Sequence, residues 1–343
     1  MAGTMHAQAA GEKGKQNHPV DKGEAFDAST FILEHVADSH EWHLWTKKDG
    51  SAVAIYLPVI LYDKGTGLHL FSSKKITHGH DYEGFVLAHE GKYEGRIVRL
   101  DAAGHPDETN IPLDFSITKA VFGMMVAAVV LLLLMLATAR SYRKGGVTAP
   151  RGIQGFIEPV ILFVRDDIAL PNIGEKKYAR FMPYLLTVFF FILINNLLGL
   201  IPIFPFGSNV TGNINVTFVL ALCTFLITQL SANKSHWKHV FAAPGVPVWL
   251  LPIMIPIELI GLISKPFALM VRLFANITAG HIILLSLISL IFIFKSLIVA
   301  PASVLFVLFM DCIELLVAFL QAYVFTLLSA LFIGMATAEE EHH

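Results

Sequence analysis

The stretch from Leu251 to Phe294 is apolar enough to enter a lipid bilayer, yet it contains five polar or charged side chains. Even on lenient insertion scales an arginine at membrane depth costs roughly 2.5–3.5 kcal/mol, so an ionisable residue there is by default a functional-site hypothesis. One of the five is the last arginine of the chain. The five residues are Glu258, Lys265, Arg272, Asn276 and His281.

These residue types suit proton transfer. A guanidinium stays protonated at physiological pH, so Arg272 can stabilise a carboxylate on a passing partner but cannot itself relay a proton. An opposite charge within about 4–6 Å lowers the pKa of a carboxyl group by roughly 1–3, which suits a site where an acid must release its proton. Imidazole and carboxylate groups can relay protons because their pKa values can be tuned toward ambient pH. The pattern predicts two proton paths that Arg272 keeps apart.

The next apolar segment supplies Glu314 and Gln321 as partners. Facing residues of an antiparallel helical hairpin have a nearly constant sum of residue numbers, and the pairs Arg272–Gln321 and His281–Glu314 differ by only two in that sum. At 1.5 Å per residue, His281 lies about 13 Å from Arg272 along the helix, and Glu258 lies about 21 Å in the other direction. Nine residues of ideal helix turn about 900°, so His281 is expected to point away from the face of Arg272.

Composition indicates an integral membrane protein. Of the 343 residues, 55% are hydrophobic and 15% are charged, with a mean hydropathy of +0.61, whereas about 25% of the residues of soluble domains are charged. The sequence has no basic stripe with interleaved aromatic residues, which argues against nucleic-acid binding. Cys223 and Cys312 lie in apolar segments, so we expect neither a disulfide framework nor a cysteine-based zinc site.

Hydropathy predicts five membrane-spanning helices. Basic residues follow the first and third and precede the second, so the positive-inside rule predicts an extracytoplasmic N-terminus and a cytoplasmic C-terminus. The last two form a hairpin whose arms exceed the roughly 20 residues of a perpendicular span, so we expect strong tilt or horizontal travel within the membrane. Residues 153–168 are too short to span and fit the cytoplasmic interface. The predicted spans are residues 117–139, 181–204 and 212–231, and two more between residues 246 and 335.

The first 115 residues have a different character. Residues 1–25 contain almost no apolar side chains and are predicted to be disordered. Helical spacing predicts a short amphipathic helix within residues 26–45, and alternating runs separated by turn signals then predict β-hairpins. We therefore expect a small, β-rich extracytoplasmic domain over residues 26–115. The run His40-Glu41-Trp42-His43 is one residue short of the helical zinc-protease spacing, so we interpret the many histidines here as surface residues and expect no metal site.

Four motifs resemble the a subunit of F-type ATP synthases. Arg272-Leu-Phe-Ala-Asn276 is followed by Ala279-Gly280-His281, with Asn196-Leu-Leu-Gly-Leu-Ile-Pro202 upstream and Gln321-Ala-Tyr-Val-Phe325 downstream. The resemblance covers roughly residues 116–338, which it implies form a transmembrane proton-channel domain. It does not explain the N-terminal extension or the polar tail, residues 339–343.

The resemblance implies an all-α polytopic fold and a non-catalytic stator subunit of the bacterial inner membrane, in a complex that makes ATP at its soluble sector. Arg272 would be the stator arginine that faces a rotating ring of c subunits. The other implied partners are b-type peripheral stalk subunits, the lipid bilayer and a translocated proton or sodium ion, and no cofactor is implied.

The resemblance also assigns roles to polar residues on either side of this arginine. Many bacterial relatives carry Glu at the position of His281 and His at that of Glu314, and here the two are exchanged. The residues implied to form the path are Asn276 and Gln321 as neighbours of the arginine, Glu258 in the cytoplasmic half-channel, His281 and Glu314 in the outer half-channel, and Asn196, which could equally be a helix-packing amide like Asn195.

Other functions and purely structural roles remain open at this point. An intramembrane metalloprotease would need His, Asp or Glu ligands on facing spans, and a single His in the predicted spans without an HExxH motif argues against one. A secondary transporter is expected to show inverted repeats, which the sequence lacks. Structurally, Arg272 could pair with Glu258 or Asp311 to hold helices together, His281 and Glu314 could be an inert hydrogen-bonded pair, and Glu258 could simply be solvated.

Overall fold

The computed structural model describes most of the chain in separate ranges. The predicted disordered N-terminus, residues 1–25, and the polar tail, residues 339–343, lie outside them. The described residues are 29, 32, 36–46, 52–77, 80–88, 93, 95–101, 105, 107, 111–145, 152–201, 206–241, 248–294 and 300–338.

Seven short strands before residue 115 form three antiparallel sheets within the described residues, ordered β1-β2, β4-β3-β7 and β5-β6. Alternate side chains of β3 face a small core, where Val59 and Leu61 pack with Phe71, Phe85 and Ile97. The strands are β1 (Glu41–Thr46), β2 (Ala52–Tyr56), β3 (Pro58–Asp63), β4 (Gly67–Ser72), β5 (Phe85–Leu87), β6 (Ile97–Arg99) and β7 (Leu113–Asp114).

The predicted helix over residues 26–45 is wrong at its C-terminal end. Ile32 and Val36 are helical, but Trp42 and Trp45 lie in β1, opposite Ile55 and Val53 of β2. Their spacing fits a helix, but aromatic residues also favour strands. Pairing with β2 therefore decides the conformation.

Eight helices account for most of the remaining described residues. Four of them (α1, α4, α7 and α8) are long and apolar enough to cross a membrane, and α5 with α6, joined at a bend of 102°, adds a fifth if that pair counts as one span. The helices are α1 (Lys119–Gly145), α2 (Ile153–Phe163), α3 (Leu170–Ile173), α4 (Tyr178–Gly199), α5 (Ile214–Leu230), α6 (Lys234–Phe241), α7 (Leu251–Phe294) and α8 (Ala300–Thr337).

The segment predicted to lie along the interface is helical and continues past its predicted end. A π-helical turn, Val164–Ala169, joins α2 to α3. Val164 and Ile168 are fully buried in the same core as residues of α4 and α8, whereas Phe156 is 75% exposed. This segment therefore has one face packed against the bundle and one face free of it.

The core of the membrane part lies around α4, whose Leu185, Phe189 and Ile192 are completely buried. Small residues of α8, including Ala322 and Ala330, pack into this core and let the helix backbones approach closely. Gly334 marks one such close approach, because a Cβ at this position would lie 1.9 Å from the carbonyl oxygen of Asn172 in α3.

Polar contacts at the helix ends fix the up-and-down arrangement. Lys177 Nζ, before α4, and Asn233 Nδ2, after α5, each donate to the carbonyl oxygen of Thr337 at 2.7 Å. These bonds satisfy carbonyl groups that the end of α8 would otherwise leave without partners. At the other end, Asp38 accepts bonds from the backbone N–H of Ala120 at 2.9 Å and from Asn213 Nδ2 at 3.3 Å. The starts of α1 and α5 therefore meet beside the N-terminal strands.

We expect Gly334→Ala to destabilise the chain by about 1–3 kcal/mol, the usual cost of overpacking, because the new methyl group would collide with backbone that has no rotamer to change. Gly261→Ala in α7 is the matched control, since no atom lies within 4 Å of the added Cβ. The thermal unfolding midpoint of the purified chain in detergent measures both. Equal midpoints for the two variants would contradict this account of the contact between α3 and α8.

Candidate functional site

A carboxylate and an imidazole meet between the two long helices. His281 Nδ1 of α7 lies 2.6 Å from Glu314 Oε1 of α8, and the side chains are only 21% and 6% exposed. Gly280 provides room for this approach, because a Cβ there would lie 3.2 Å from Glu314 Oε1. The two groups are close enough to interact as an ion pair, but the contact is not aligned as a hydrogen bond.

The two adjacent amides of α4 make different contacts. Asn196 Nδ2 donates to the carbonyl oxygen of Ala318 in α8 at 3.1 Å, and Asn196 Oδ1 accepts from Thr211 Oγ1 at 2.6 Å. Asn195 Nδ2 donates only to the carbonyl oxygen of Phe191 in its own helix, and its Oδ1 has no hydrogen-bond partner among the described residues. Asn196 therefore joins three parts of the chain, whereas Asn195 presents a free acceptor.

Both amides line the same cleft as the carboxylate–imidazole pair. Its walls come from α4, α7, α8 and the turn before α5. Glu314 Oε2 and Asn195 Oδ1 have no hydrogen-bond partner within the described part of the chain. Because an unsatisfied buried polar atom is costly, the cleft is suited to water. The lining residues are Asn195, Asn196, Gly199, Leu200, Ser208, Asn209, Thr211, Ile277, His281, Glu314 and Ala318.

Arg272 lies on a different face of α7. Its side chain is exposed, as is that of Asn276 one turn later, among large exposed hydrophobic residues such as Phe267 and Val271. No carboxylate of the described residues lies within 4.0 Å of the guanidinium. The structural alternative, in which Arg272 pairs with Glu258 or Asp311, therefore does not hold for the described residues.

The hairpin register places one of the two expected pairs in contact. His281 reaches Glu314, but Arg272 and the 6%-exposed Gln321 share no hydrogen bond. The helical turn between Arg272 and His281 explains the difference, because it directs His281 into the cleft and Arg272 outward. Gln321 lies on the packed face of α8 instead.

Glu258 lies apart from both Arg272 and the His281–Glu314 pair. It is half-buried on α7 and close enough to His236 of α6 for the two charges to interact. A second cleft, with an empty volume of about 390 Å³, is lined by His236, Lys265 and Gln229 among others. The polar residues therefore form one group near α6 and another around His281, with Arg272 between them along α7.

Sequence reasoning missed Thr211, Ser208 and Asn209. These residues belong to a polar turn between two apolar helices, a pattern that by itself indicates only a loop. Thr211 matters because its hydroxyl bonds the amide of Asn196, a contact that no sequence spacing encodes.

We expect Asn196→Leu to lower the stability of the purified chain by about 1–2 kcal/mol, since it removes one bond to α8 and one to the turn before α5, at up to about 1.7 kcal/mol each. Asn195→Leu is the matched control. It removes one bond within α4 and also removes an acceptor that has no partner, so a change near zero is expected. Detergent thermal melts compare the two, and a larger loss for Asn195→Leu would rule out the bridging role of Asn196.

Comparison with known proteins identifies the family. Residues 121–334 match the family model described as ATP synthase A chain, and residues 31–115 match one described as Domain of unknown function (DUF8433). The chain is 47% identical over 271 residues to ATP synthase subunit a of Chloroherpeton thalassium, covering 77% of this chain and 75% of the relative. It is 52% identical over 257 residues to ATP synthase subunit a 2 of Chlorobaculum tepidum, covering 73% and 69%.

A third relative matches over a larger share of both chains. ATP synthase subunit a of Chlorobium phaeobacteroides is 41% identical over 328 residues, covering 84% of this chain and 93% of the relative. With its several apolar helices, the protein is a multi-pass membrane protein. The chain belongs to the ATP synthase A chain family, the non-catalytic, proton-translocating stator subunit of F-type ATP synthase.

Proposed function

We propose that the chain provides two offset half-channels to a ring of c subunits, with Arg272 between them. The observation that carries this proposal is the exposed guanidinium on an apolar face of α7, without a carboxylate partner among the described residues. A cation in that setting is costly unless something else pairs with it. A carboxylate on each passing c subunit would supply that pair, and Asn276, one turn away, would contact the same partner.

The first cleft is our candidate for the outer half-channel. Its floor is the His281–Glu314 pair, and its wall includes Thr211, close to the start of α5 where the N-terminal strands contact the helices. A proton entering there would pass through the pair and move to the carboxylate of a c subunit. Asn195 Oδ1 would hold water on this route, while Asn196 would keep α4 and α8 at the right separation.

The inner half-channel would begin on the other side of Arg272. Glu258 and the second cleft lie toward α6, near the end where Lys177 and Asn233 bond the end of α8. A c-subunit carboxylate that approaches Arg272 would lose its proton, because the nearby cation lowers its pKa. Glu258 would take up that proton on the way to the cytoplasm. Gln321, on the packed face of α8, would help to hold in place the polar side chains around this proton transfer.

The charge distribution supports one orientation and five spans. Basic residues cluster at the end of α1, before α4 and in α6, so by the positive-inside rule we expect those ends in the cytoplasm of a bacterial inner membrane. Counting α5 with α6 as one span leaves both the N-terminal β-rich domain, residues 26–115, and the starts of α1 and α5 outside. The transmembrane domain is residues 116–338, its C-terminus is cytoplasmic, and b-type stalk subunits would hold it against rotation.

We expect Arg272→Ala to abolish proton-driven ATP synthesis in inverted vesicles while the complex still assembles, because two water-accessible paths would no longer be kept apart. Lys176→Ala, which removes an exposed cation that lines neither cleft, should retain coupled synthesis. Subunit content by immunoblot separates loss of function from loss of assembly. Normal synthesis by the assembled Arg272→Ala complex would refute the stator role.

We expect Glu314→His and His281→Glu, made singly, each to slow ATP-driven proton pumping by about 10²-fold, the lower end of what a positioned acid–base group contributes. The double exchange keeps one carboxylate and one imidazole at the same place, so it should recover part of the rate. Asp311→Asn, which changes an exposed carboxylate three residues from Glu314, is the control. Quenching of an acridine dye measures pumping, and full activity of both single variants would mean that the pair is inert.

A further inference from the structure

The three-stranded sheet before α1 is apolar on both of its faces. One face is buried in the small core, with Val59 and Leu61 at 0% exposure. Antiparallel sheets that face water on one side normally carry polar residues there. Here the opposite face carries large exposed hydrophobic side chains, which together define the outer sheet face: Tyr62 (46% exposed), Leu68 (61%), Leu70 (66%), Leu113 (52%) and Phe115 (63%).

The strand register makes the outer sheet face continuous. Tyr62 of β3 lies opposite both Leu68 of β4 and Leu113 of β7. Leu70 lies opposite Ile60, whose carbonyl oxygen accepts a bond from the backbone N–H of Phe115 at 2.9 Å. Contiguous apolar patches of this kind mark sites of interaction with proteins or membranes.

No charge interrupts this surface within the described strands. The residues that alternate onto it are Pro58, Ile60 and Tyr62 in β3, Leu68, Leu70 and Ser72 in β4, and Leu113 in β7. The charged members of the hairpin project elsewhere, and Asp63 pairs with Arg99 on the buried side. A protein partner that binds through ion pairs would have no charged residue to contact on this surface. An apolar medium could cover the surface without burying a charge.

One contact of this sheet, and three of β1 and the residues before it, lie at the point where α1 begins. The pairing continues to Ile117, whose backbone N–H donates to the carbonyl oxygen of Pro58 at 3.1 Å, two residues before α1. Asp38 and Ser39 accept bonds from the first backbone N–H groups of α1. Trp42 also packs edge-on against Phe122, with ring centroids 6.0 Å apart. The sheet is thus held at the end of a spanning helix whose own exposed face is apolar.

We propose that the outer sheet face rests on the outer leaflet of the bilayer. Phe115 lies four residues before α1, whose exposed side chains are apolar, so the headgroup and acyl boundary around α1 is the apolar medium nearest to this face along the chain. Tyr62 and Phe115 are residue types that favour this boundary, where an aromatic ring contacts acyl chains. This contact is independent of the proton path and gives the N-terminal domain a membrane-docking role.

The test uses the assembled ATP synthase in lipid vesicles, with Cys223 and Cys312 replaced by alanine and a nitroxide spin label on Leu70→Cys. Collision rates with oxygen and with a water-soluble nickel complex distinguish the surroundings of the label. We expect oxygen to reach the label better than nickel does, and the reverse at Asp81→Cys, an exposed position outside the sheets of the same domain. Leu113→Cys, on the neighbouring strand, should give the same result as Leu70→Cys.

Two outcomes would overturn the proposal. If oxygen and the nickel complex both collide readily with the labels at Leu70→Cys and Leu113→Cys, the outer sheet face lies in water. Poor access for both would mean that protein covers it, either another subunit, a second copy or another segment of this chain. If Leu70→Cys prevents assembly, Leu113→Cys alone decides between these results.

Discussion

An unpaired guanidinium on an apolar helix is the feature on which the rest of this structure depends. Arg272 cannot lose its proton, and it is exposed on α7 without a carboxylate partner in the described part of the chain. Such a cation is costly in a membrane, and we propose that another molecule supplies the opposite charge. That proposal agrees with the membership of the chain in a family of stator subunits.

The helical repeat lets α7 serve two surfaces at once. Over the nine residues from Arg272 to His281 the helix turns so that the arginine faces outward and the imidazole faces the cleft. Glu314 approaches from α8 because Gly280 leaves room for its carboxylate. Packing fixes this geometry, since Asn196 joins α4 to α8 and the bonds to Thr337 hold the end of α8. A proton path can thus lie next to the arginine without containing it.

The N-terminal region also has a surface that the described residues of the chain leave without a partner. Its strands have too few residues to enclose a large core, and they are tied to the membrane helices by Asp38 and Trp42. An apolar face of β3 and β4 remains uncovered by the described residues. Two of its three sheets have only two strands, which are marginally stable on their own, so packing against other surfaces stabilises them.

The sequence by itself determined where the costly groups are and how the final hairpin is registered. A charged side chain within an apolar run is costly in free energy at membrane depth, and this singles out Arg272. An antiparallel register brings His281 to Glu314. Only the tertiary structure decided that Arg272 faces outward, that Gln321 is packed away from it, and that Asn196 rather than Asn195 bridges helices. It also decided that Trp42 lies in a strand and that α5 meets α6 at a sharp bend. Spacing along one helix or strand is a local property, which sequence encodes directly. The direction in which a face points, and the partner that satisfies an amide, depend on elements far apart in the chain.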